Sequence, residues 1–341
     1  MQPLISIIIP VHNAAATLGR CLDAVNRSTY RNFECLVADD GCWDESAEIA
    51  ESRGARVLAI AGRRGPAFAR NVAAASAEGD ILLFIDADVC IQPDTVERIV
   101  KAFADDPKLD ALIGSYDDDP AESKFVSQYK NLMHCFVHQQ GKRRASTFWT
   151  GCGAVRRSVF QASGGFDKHY LRPSTEDIEL GARLIRAGHK IELEPSLTVK
   201  HLKRWTLFGL LECDIRDRAI PWTLLMLRER HIPNDLNVQW SQRISVALMS
   251  LALPMILVDW RVSLLFAAVV IAMNHGFYRF LAQRRGALFA IRALPLHLLY
   301  FLYSGAAFLA ACGIAVSARN RQPAHRDSKQ PAPQDSKHQP D

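Results

Sequence analysis

The sequence predicts an α/β fold, a mostly parallel sheet with helices on both faces, followed by a C-terminal α-helical membrane region. Three observations carry this. Short runs of isoleucine, leucine and valine alternate with helical stretches from Leu4 onward, the spacing of strand–helix–strand units. Polar motifs at Asn13, Asp39-Asp40 and Asp86–Asp88 each sit directly at a strand's carboxyl end, where ligands collect in such sheets. From Lys203 the apolar runs lengthen and lose their strand punctuation.

Leu4–Pro10 is the first strand, continuous and β-branched, and Pro10-Val11-His12-Asn13 breaks it. Ala14–Arg27 follows as a helix with Leu18, Leu22 and Val25 on one face. Phe33–Ala38 is the second strand, Ser46–Ser52 a helix and Ala55–Ile60 the third strand. Pro66 suits the first turn of a helix reaching about Ala77. Ile81–Ile85 then reads as a strand buried on both faces, tipped by Asp86-Ala87-Asp88. Period-two alternation would place both carboxylates on one side, a hard-oxygen pair suited to Mg²⁺ or Mn²⁺ with substrate phosphates completing the shell. Alone, the triplet reads first as an ordinary strand exit, and it gains weight as a ligand pair only if the rest of the chain builds a nucleotide site around it. Pro93–Asp105 is a helix, Ala111–Tyr116 a strand, Lys124–His138 a helix and Phe148–Val155 an extended segment. Ser174–Ala187 is a helix stopped by Gly188, and Ile191–Leu193 and Leu197–His201 are short extended pieces.

Lys and Arg outnumber Asp and Glu, for a net charge of +5, but are scattered, with no basic run interleaved with aromatics. That pattern excludes a nucleic-acid binder. The eight cysteines form no CxxC pair and no metal-type Cys/His spacing. They read as reduced thiols of a cytosol-facing domain, with Cys312 in the membrane. Met1–Pro10 lacks a basic start and a long apolar core, so no signal peptide is expected. The first strand is not followed by GxGxxG, which disfavours a dinucleotide dehydrogenase.

Phe208, Leu211, Ile215, Ala219, Trp222 and Met226 recur at helical spacing. They predict an amphipathic helix, bent or split before Pro221, packed on the catalytic part or lying in a bilayer interface. Ile244–Val258 and Val262–Met273 are shorter than the roughly 20 residues a span needs and suggest a hairpin. Ala293–Val316 is long enough to cross. Arg279, Arg284, Arg285 and Arg292 should face the cytoplasm. Three full crossings would put the tail outside, yet that tail is also basic, so the two signals conflict over the span count. The expected divisions are 1–202 catalytic, 203–235 amphipathic interfacial helices, 236–318 membrane helices and 319–341 a disordered tail.

Ser6-Ile7-Ile8-Ile9-Pro10-Val11-His12-Asn13, Val37-Ala38-Asp39-Asp40-Gly41, Ala69-Arg70-Asn71, Asp86-Ala87-Asp88, Gly164-Gly165-Phe166-Asp167 and Thr175-Glu176-Asp177 occur in this order. Over roughly residues 4–205 the chain thereby resembles the family 2 glycosyltransferases, with their GT-A, nucleotide-diphosphosugar-binding fold. The resemblance implies that Pro10 and Asn13, with Asp39 or Asp40, hold the base and ribose, and that Arg70 lies near the diphosphate. It implies Asp88 as metal ligand, Asp86 on ribose or metal, and Asp177, beside Glu176, as the general base. Ser174 with Asp177 three residues on also satisfies a helix capping box, and a carboxylate tied to a backbone N–H is a weaker base. His201-Leu202-Lys203-Arg204-Trp205 resembles the Gln-x-x-Arg-Trp motif of processive synthases with His for Gln, which puts processivity in doubt. In this frame His201 is a candidate metal ligand or a structural histidine, Arg204 a phosphate partner and Trp205 a substrate contact or interfacial anchor. Cys152, in Thr-Gly-Cys-Gly, falls on the acceptor wall.

The resulting expectation is a membrane-bound, inverting glycosyltransferase with a cytoplasmic active site. It would use a nucleoside-diphosphate sugar, Mg²⁺ or Mn²⁺, and a lipid-linked or glycan acceptor. One alternative is a polyprenyl-phosphate glycosyltransferase that needs no base. Another is an inactive sugar-nucleotide-binding membrane scaffold, against which the intact Asp86, Asp88 and Asp177 argue.

Overall fold

The computed structural model describes residues 2–230 and 234–321. Its elements run β1 Ile5–Val11, α1 Ala15–Asn26, β2 Phe33–Asp39, α2 Ser46–Ser52, β3 Arg56–Ala59, α3 Pro66–Ala75, β4 Ile81–Phe84 and β5 Val89–Ile91. They continue with α4 Thr95–Asp105, β6 Ala111–Tyr116, α5 Phe125–Gln139, β7 Gly153–Arg156, α6 Arg157–Ala162, α7 Glu176–Arg186 and β8 Ile191–His201. The strands form one sheet in the order β3-β2-β1-β4-β7-β6-β8-β5. β1 pairs in parallel with β2 and β4, β2 with β3, and β6 with β8, while β7 runs antiparallel to β4 and β6, and β5 to β8.

Alternation along β1 explains why its run is unbroken. Ile5, Ile7, Ile9 and Val11 face α1, and Ile8 faces α3 with Leu36, Leu82 and Phe84. Each fully buried side chain of this kind contributes about 1.5–3 kcal/mol. Ser6 is buried among them because its hydroxyl donates to Glu34 Oε1 at 2.6 Å and accepts from the Gly79 N–H at 2.8 Å. The two extended pieces expected around residues 191–201 are one strand, β8, whose pairing with β6 shifts register between Ile113 and Ser115. A side chain at Gly114 would strike the Leu197 carbonyl there, so the irregularity needs glycine. The Asp-Ala-Asp triplet is not strand. β4 stops at Phe84 and the chain turns, with the Val89 N–H bonded to the Asp86 carbonyl at 3.0 Å. Period-two alternation therefore does not apply, and Asp86 and Asp88 meet different partners.

Beyond β8, α8 Leu207–Glu212, a π-helical turn Cys213–Ala219 and α9 Ile220–Glu229 follow end to end. The expected break before Pro221 is thus a π-helical segment, with Pro221 opening α9. A short 3₁₀ turn, Leu236–Val238, precedes α10 Trp240–Val258, α11 Trp260–Met273, α12 His275–Arg285 and α13 Ala287–Arg321. α10 and α13 are long and apolar enough to cross a membrane, and α11 with α12 form a pair bent by 64°. Residues 322–341 of the expected tail lie outside the described residues.

The C-terminal helices pack on α5 through Tyr129, Leu132, Met133, Leu210, Phe277, Leu281, Ala293 and Leu296. Buried polar groups tie the same seam. Lys130 Nζ lies 2.6 Å from Asp214 Oδ1, whose other oxygen accepts from the Tyr303 hydroxyl at 2.7 Å. Arg285 donates to Gln128 Oε1 at 2.7 Å and to the Asp118 carbonyl at 2.8 Å, placing the end of α12 against the sheet domain.

Candidate active site

The site gathers at the carboxyl ends of β1, β2 and β4. Asn13, just past β1, sits in the left-handed region at φ 53°, which asparagine tolerates better than most residues. Its Oδ1 accepts from the Trp43 N–H at 3.0 Å, clasping the loop after β2. Asp39 Oδ1 accepts from the Cys42 N–H at 2.7 Å across the Gly41 turn. A Cβ at Gly41 would lie 2.8 Å from the Gly62 carbonyl carbon, so the two loops close only over glycine. Asp40 is buried, and its two oxygens accept from the N–H groups of Arg64 at 2.6 Å and Gly65 at 2.8 Å. The expected nucleotide contact through Asp40 is corrected: it ties loop to loop, while its neighbour Asp39 is half-buried. Pro10 is half-buried at the end of β1.

Arg70 is likewise a correction. On α3 it is 4 % exposed, and its guanidinium spans Asp86 Oδ1 and Glu176 Oε1, each at 2.8 Å. A fork already filled by two carboxylates is not offered to a diphosphate. It instead joins α3, the β4–β5 turn and α7, a geometry suited to arginine's planar donors. Burial pushes the Asp86 carboxyl up against the opposing pull of Arg70. The second oxygen of Glu176 accepts from the Ser174 N–H at 2.8 Å.

Asp88 and His201 are brought together by strand pairing. In the antiparallel β5–β8 ladder Val89 stands opposite His201, and the Leu202 N–H bonds the Asp88 carbonyl at 2.8 Å. Asp88 Oδ2 lies 3.6 Å from His201 Nε2, and the imidazole stacks on Tyr116 with ring centroids 4.3 Å apart. Burial opposes the Asp88 charge, but His201 and Lys203 hold its carboxyl below the usual range. Neighbouring donors in an octahedral shell with 2.0–2.1 Å bonds stand about 3 Å apart, so this pair fits one divalent cation after a small adjustment. Among the described residues no group of three or more His, Cys, Asp or Glu side chains converges. Two protein donors would leave the remaining positions to phosphate oxygens and water, the usual arrangement for magnesium.

Asp177 is in the first turn of α7, not at its cap. Ser174 Oγ donates to the Asp217 carbonyl at 2.8 Å, and Thr175 precedes the helix without a capping side chain. The capping-box reading is therefore overturned, and Glu176 is the residue that reaches back. Asp177 Oδ1 accepts from the Ile178 N–H at 2.8 Å, and Oδ2 faces the Thr150 N–H at 3.3 Å. Burial, reinforced by Glu176, outweighs Arg70 and these bonds and pushes the carboxyl up to about 7. Such a group can take a proton near neutrality.

The remaining candidates stand elsewhere. The Cys152 side chain lies in the core, with its sulfur packed toward Gly114, so it lines no substrate wall. Trp205 is buried in the same apolar cluster as Tyr129, Leu132 and Leu210, which removes it as a lipid-facing anchor. Arg204 is exposed. Three contributors escaped the sequence reading: Thr150 against Asp177, Tyr116 under His201, and Arg218, whose charge acts on Tyr116 and Asp177. Thr150 was visible only as part of a small-residue cluster, and nothing in the sequence marks the other two.

The profile of the Glycosyl transferase family 2 matches residues 6–164, covering every loop described from Asn13 to Thr150. The chain carries a glycosyl transferase family 2 domain. A second profile, the N-terminal domain of galactosyltransferase, matches residues 131–205 and so reaches Asp177 and His201. Glycosyltransferase GlyG of Streptococcus pneumoniae is 29% identical over 121 residues, 34% of this chain and 40% of that protein. The O-antigen chain rhamnosyltransferase RfbN of Salmonella typhimurium is 26% identical over 216 residues, 59% of this chain and 67% of that protein. The chain spans less than half the length of the first curated relatives it matches. The mannosyltransferase PcManGT of Pyrobaculum calidifontis, solved with GDP-Man and Mn²⁺, covers 91% of this chain and 88% of its own at a TM-score of 0.57 and 19% identity. That likeness is one of fold, and the curled, mostly parallel sheet of the family 2 domain is the GT-A arrangement.

Proposed function

We propose that the protein is a membrane-bound, inverting glycosyltransferase that moves a sugar from a nucleoside diphosphate to a lipid-linked or glycan acceptor. The observation that carries this is the juxtaposition, through the Arg70 bridge from Asp86 to Glu176, of the β4–β5 turn with Asp177 on α7, whose carboxyl is raised to about 7. The GDP-mannose and Mn²⁺ held by the mannosyltransferase of like fold support the donor class and a divalent ion. Residues 1–202 would form the catalytic part.

Asp39 and the backbone at Pro10 and Asn13 would receive the base and ribose. Asp88 and His201 would hold the cation, which when bound neutralises charge on the leaving diphosphate. Asp177 takes the proton of the acceptor hydroxyl as its oxygen attacks the anomeric carbon from the face opposite the diphosphate. The new C–O bond forms, the bond from sugar to phosphate breaks, and its electron pair leaves with the diphosphate. Arg70 and Glu176 position the reacting groups by fixing the β4–β5 turn against α7.

Membrane attachment is supported by α10 and α13 and by Trp240 and Trp260, both exposed at helix starts as interfacial aromatics are. Arg284 and Arg285 contact the sheet domain, so a cytoplasmic position for these arginines puts the active site on the same face. The decisive experiment is a donor screen on membranes with Mn²⁺ or Mg²⁺ added or chelated, and mass analysis of the product. Asp88→Ala and Asp177→Asn should each abolish transfer. Full turnover by purified Asp177→Asn would instead point to an acceptor that is already ionised.

A further inference from the structure

Trp43, in the loop after β2, is 84 % exposed, and among the described residues its ring meets no other ring and no cation. Trp240 and Trp260, the other exposed tryptophans, open helices of the apolar bundle. A single exposed apolar side chain is ordinary. Here the backbone beneath it is not. The Trp43 N–H donates to Asn13 Oδ1 at 3.0 Å, the Asn13 N–H to Cys42 Sγ at 3.3 Å, and the Cys42 N–H to Asp39 Oδ1 at 2.7 Å. On the other side Asp44 accepts from the Ala15 N–H at 3.0 Å and from the Ser46 hydroxyl at 2.6 Å. Asn13 makes its contacts at φ 53°, and a non-glycine residue held in the left-handed region is a recurrent feature of ligand clamps. A fixed root thus carries a free indole.

Position decides what the indole meets. The apolar helices seat on α5, which packs against β6 and β8. β2 lies four strands from β6 in the sheet order, about 19 Å along the sheet at the usual strand spacing, so Trp43 stands away from the proposed bilayer. Its root instead joins Asn13 and Asp39, the residues proposed to receive the base and ribose. Carboxylates and amides surround that root, a setting for a flat heterocycle with polar edges rather than for hydrocarbon. Every nucleobase offers a π-face to an aromatic ring, and tryptophan supplies contact area while giving up little side-chain entropy.

We propose that Trp43 is a donor-recognition residue whose indole stacks on the base of the nucleoside diphosphate. Position 43 lies outside the Val37–Gly41 motif, and no motif residue supplies an aromatic face there. The inference rests on the donor reading of the site, but its test uses binding alone.

The full chain, purified in dodecyl maltoside, would be titrated calorimetrically with UDP, GDP and inorganic pyrophosphate, each with Mn²⁺. Trp43→Ala removes no buried contact, so the variant should fold as wild type does. It should weaken UDP and GDP by at least about tenfold, the scale of one base–aromatic stack, and leave pyrophosphate within about twofold. Trp43→Phe should recover most of that loss. Unchanged nucleotide affinity in Trp43→Ala overturns the proposal, and so does equal weakening of all three ligands, which would mean a distorted loop. GDP should also quench tryptophan emission more in wild type than in Trp43→Phe; equal quenching in the two overturns the stack. Wild type that binds pyrophosphate but neither nucleotide removes the donor reading and the proposal with it. Base-dependent binding through Trp43 without any transferase activity leaves the proposal standing and counts against the catalytic reading alone.

Discussion

Asp177 carries a carboxyl raised to about 7 by burial and by Glu176, which has two consequences of opposite value. As a base it works only when ionised, so kcat/KM should rise with pH to a plateau with a midpoint near 7 in the free enzyme. Asp177→Asn should lower turnover by about 10²–10⁴-fold, leave nucleotide binding intact and flatten that limb. For stability the sign reverses. The folded state keeps the proton up to about 7, whereas an unfolded aspartate releases it near 3.9, so stability falls as pH rises through that window. Asp177→Asn should therefore raise the melting temperature relative to wild type at pH 8 and change it little at pH 4. Arg70 presents the opposite case. Its removal strands Glu176, 4 % exposed, without a counter-charge, and Arg70→Ala should cost about 3–5 kcal/mol in chemical unfolding. Retained stability in that variant would show that the triad is not structural.

At the scale of elements, α7 is placed by a close approach. Gly181 packs so near the backbone of Thr147 and Phe148 that any side chain would collide with it. The same segment continues to Thr150, whose N–H faces Asp177. Gly181→Ala should therefore push α7 off its neighbour and lower kcat several-fold more than nucleotide affinity. Equal losses in both would mean a general folding defect. The β5–β8 ladder has the corresponding role at the metal corner, since it sets His201 beside Asp88. Neither strand's pairing is marked locally: β5 is three residues long, and β8 reads as two fragments because Pro195 interrupts its pattern.

For the whole molecule, the seam between sheet domain and C-terminal helices is both apolar and tied by Lys130, Asp214 and Tyr303. The helices beyond it leave Leu251, Leu257, Leu264, Leu265, Leu309 and Val316 exposed, large apolar side chains of the kind that mark interaction or membrane surfaces, which supports the proposed membrane attachment. The protein should stay in the membrane pellet after high-salt and alkaline carbonate washes and be released by detergent. Release by carbonate would indicate peripheral attachment.

The sequence by itself determined most of the strand and helix order, the clustering of polar motifs at strand ends and α13 as a long apolar helix, because these depend on local periodicity and turn chemistry; β5, α6 and the full length of α10 went unread. β1, α2 and β6 are read almost residue for residue, β1 because its run is continuous and β-branched and the other two because their boundaries are clean. What each motif residue does was decided only by tertiary structure. Asp40 and Arg70 stand in motifs that suggest ligand contact, yet one holds two backbone amides and the other two carboxylates. Ser174 and Asp177 have the spacing of a cap and do not form one. Partners for a polar side chain lie far along the chain, 106 residues between Arg70 and Glu176 and 84 between His134 and Arg218. Local sequence records the donors and acceptors, while the three-dimensional packing selects which of them meet.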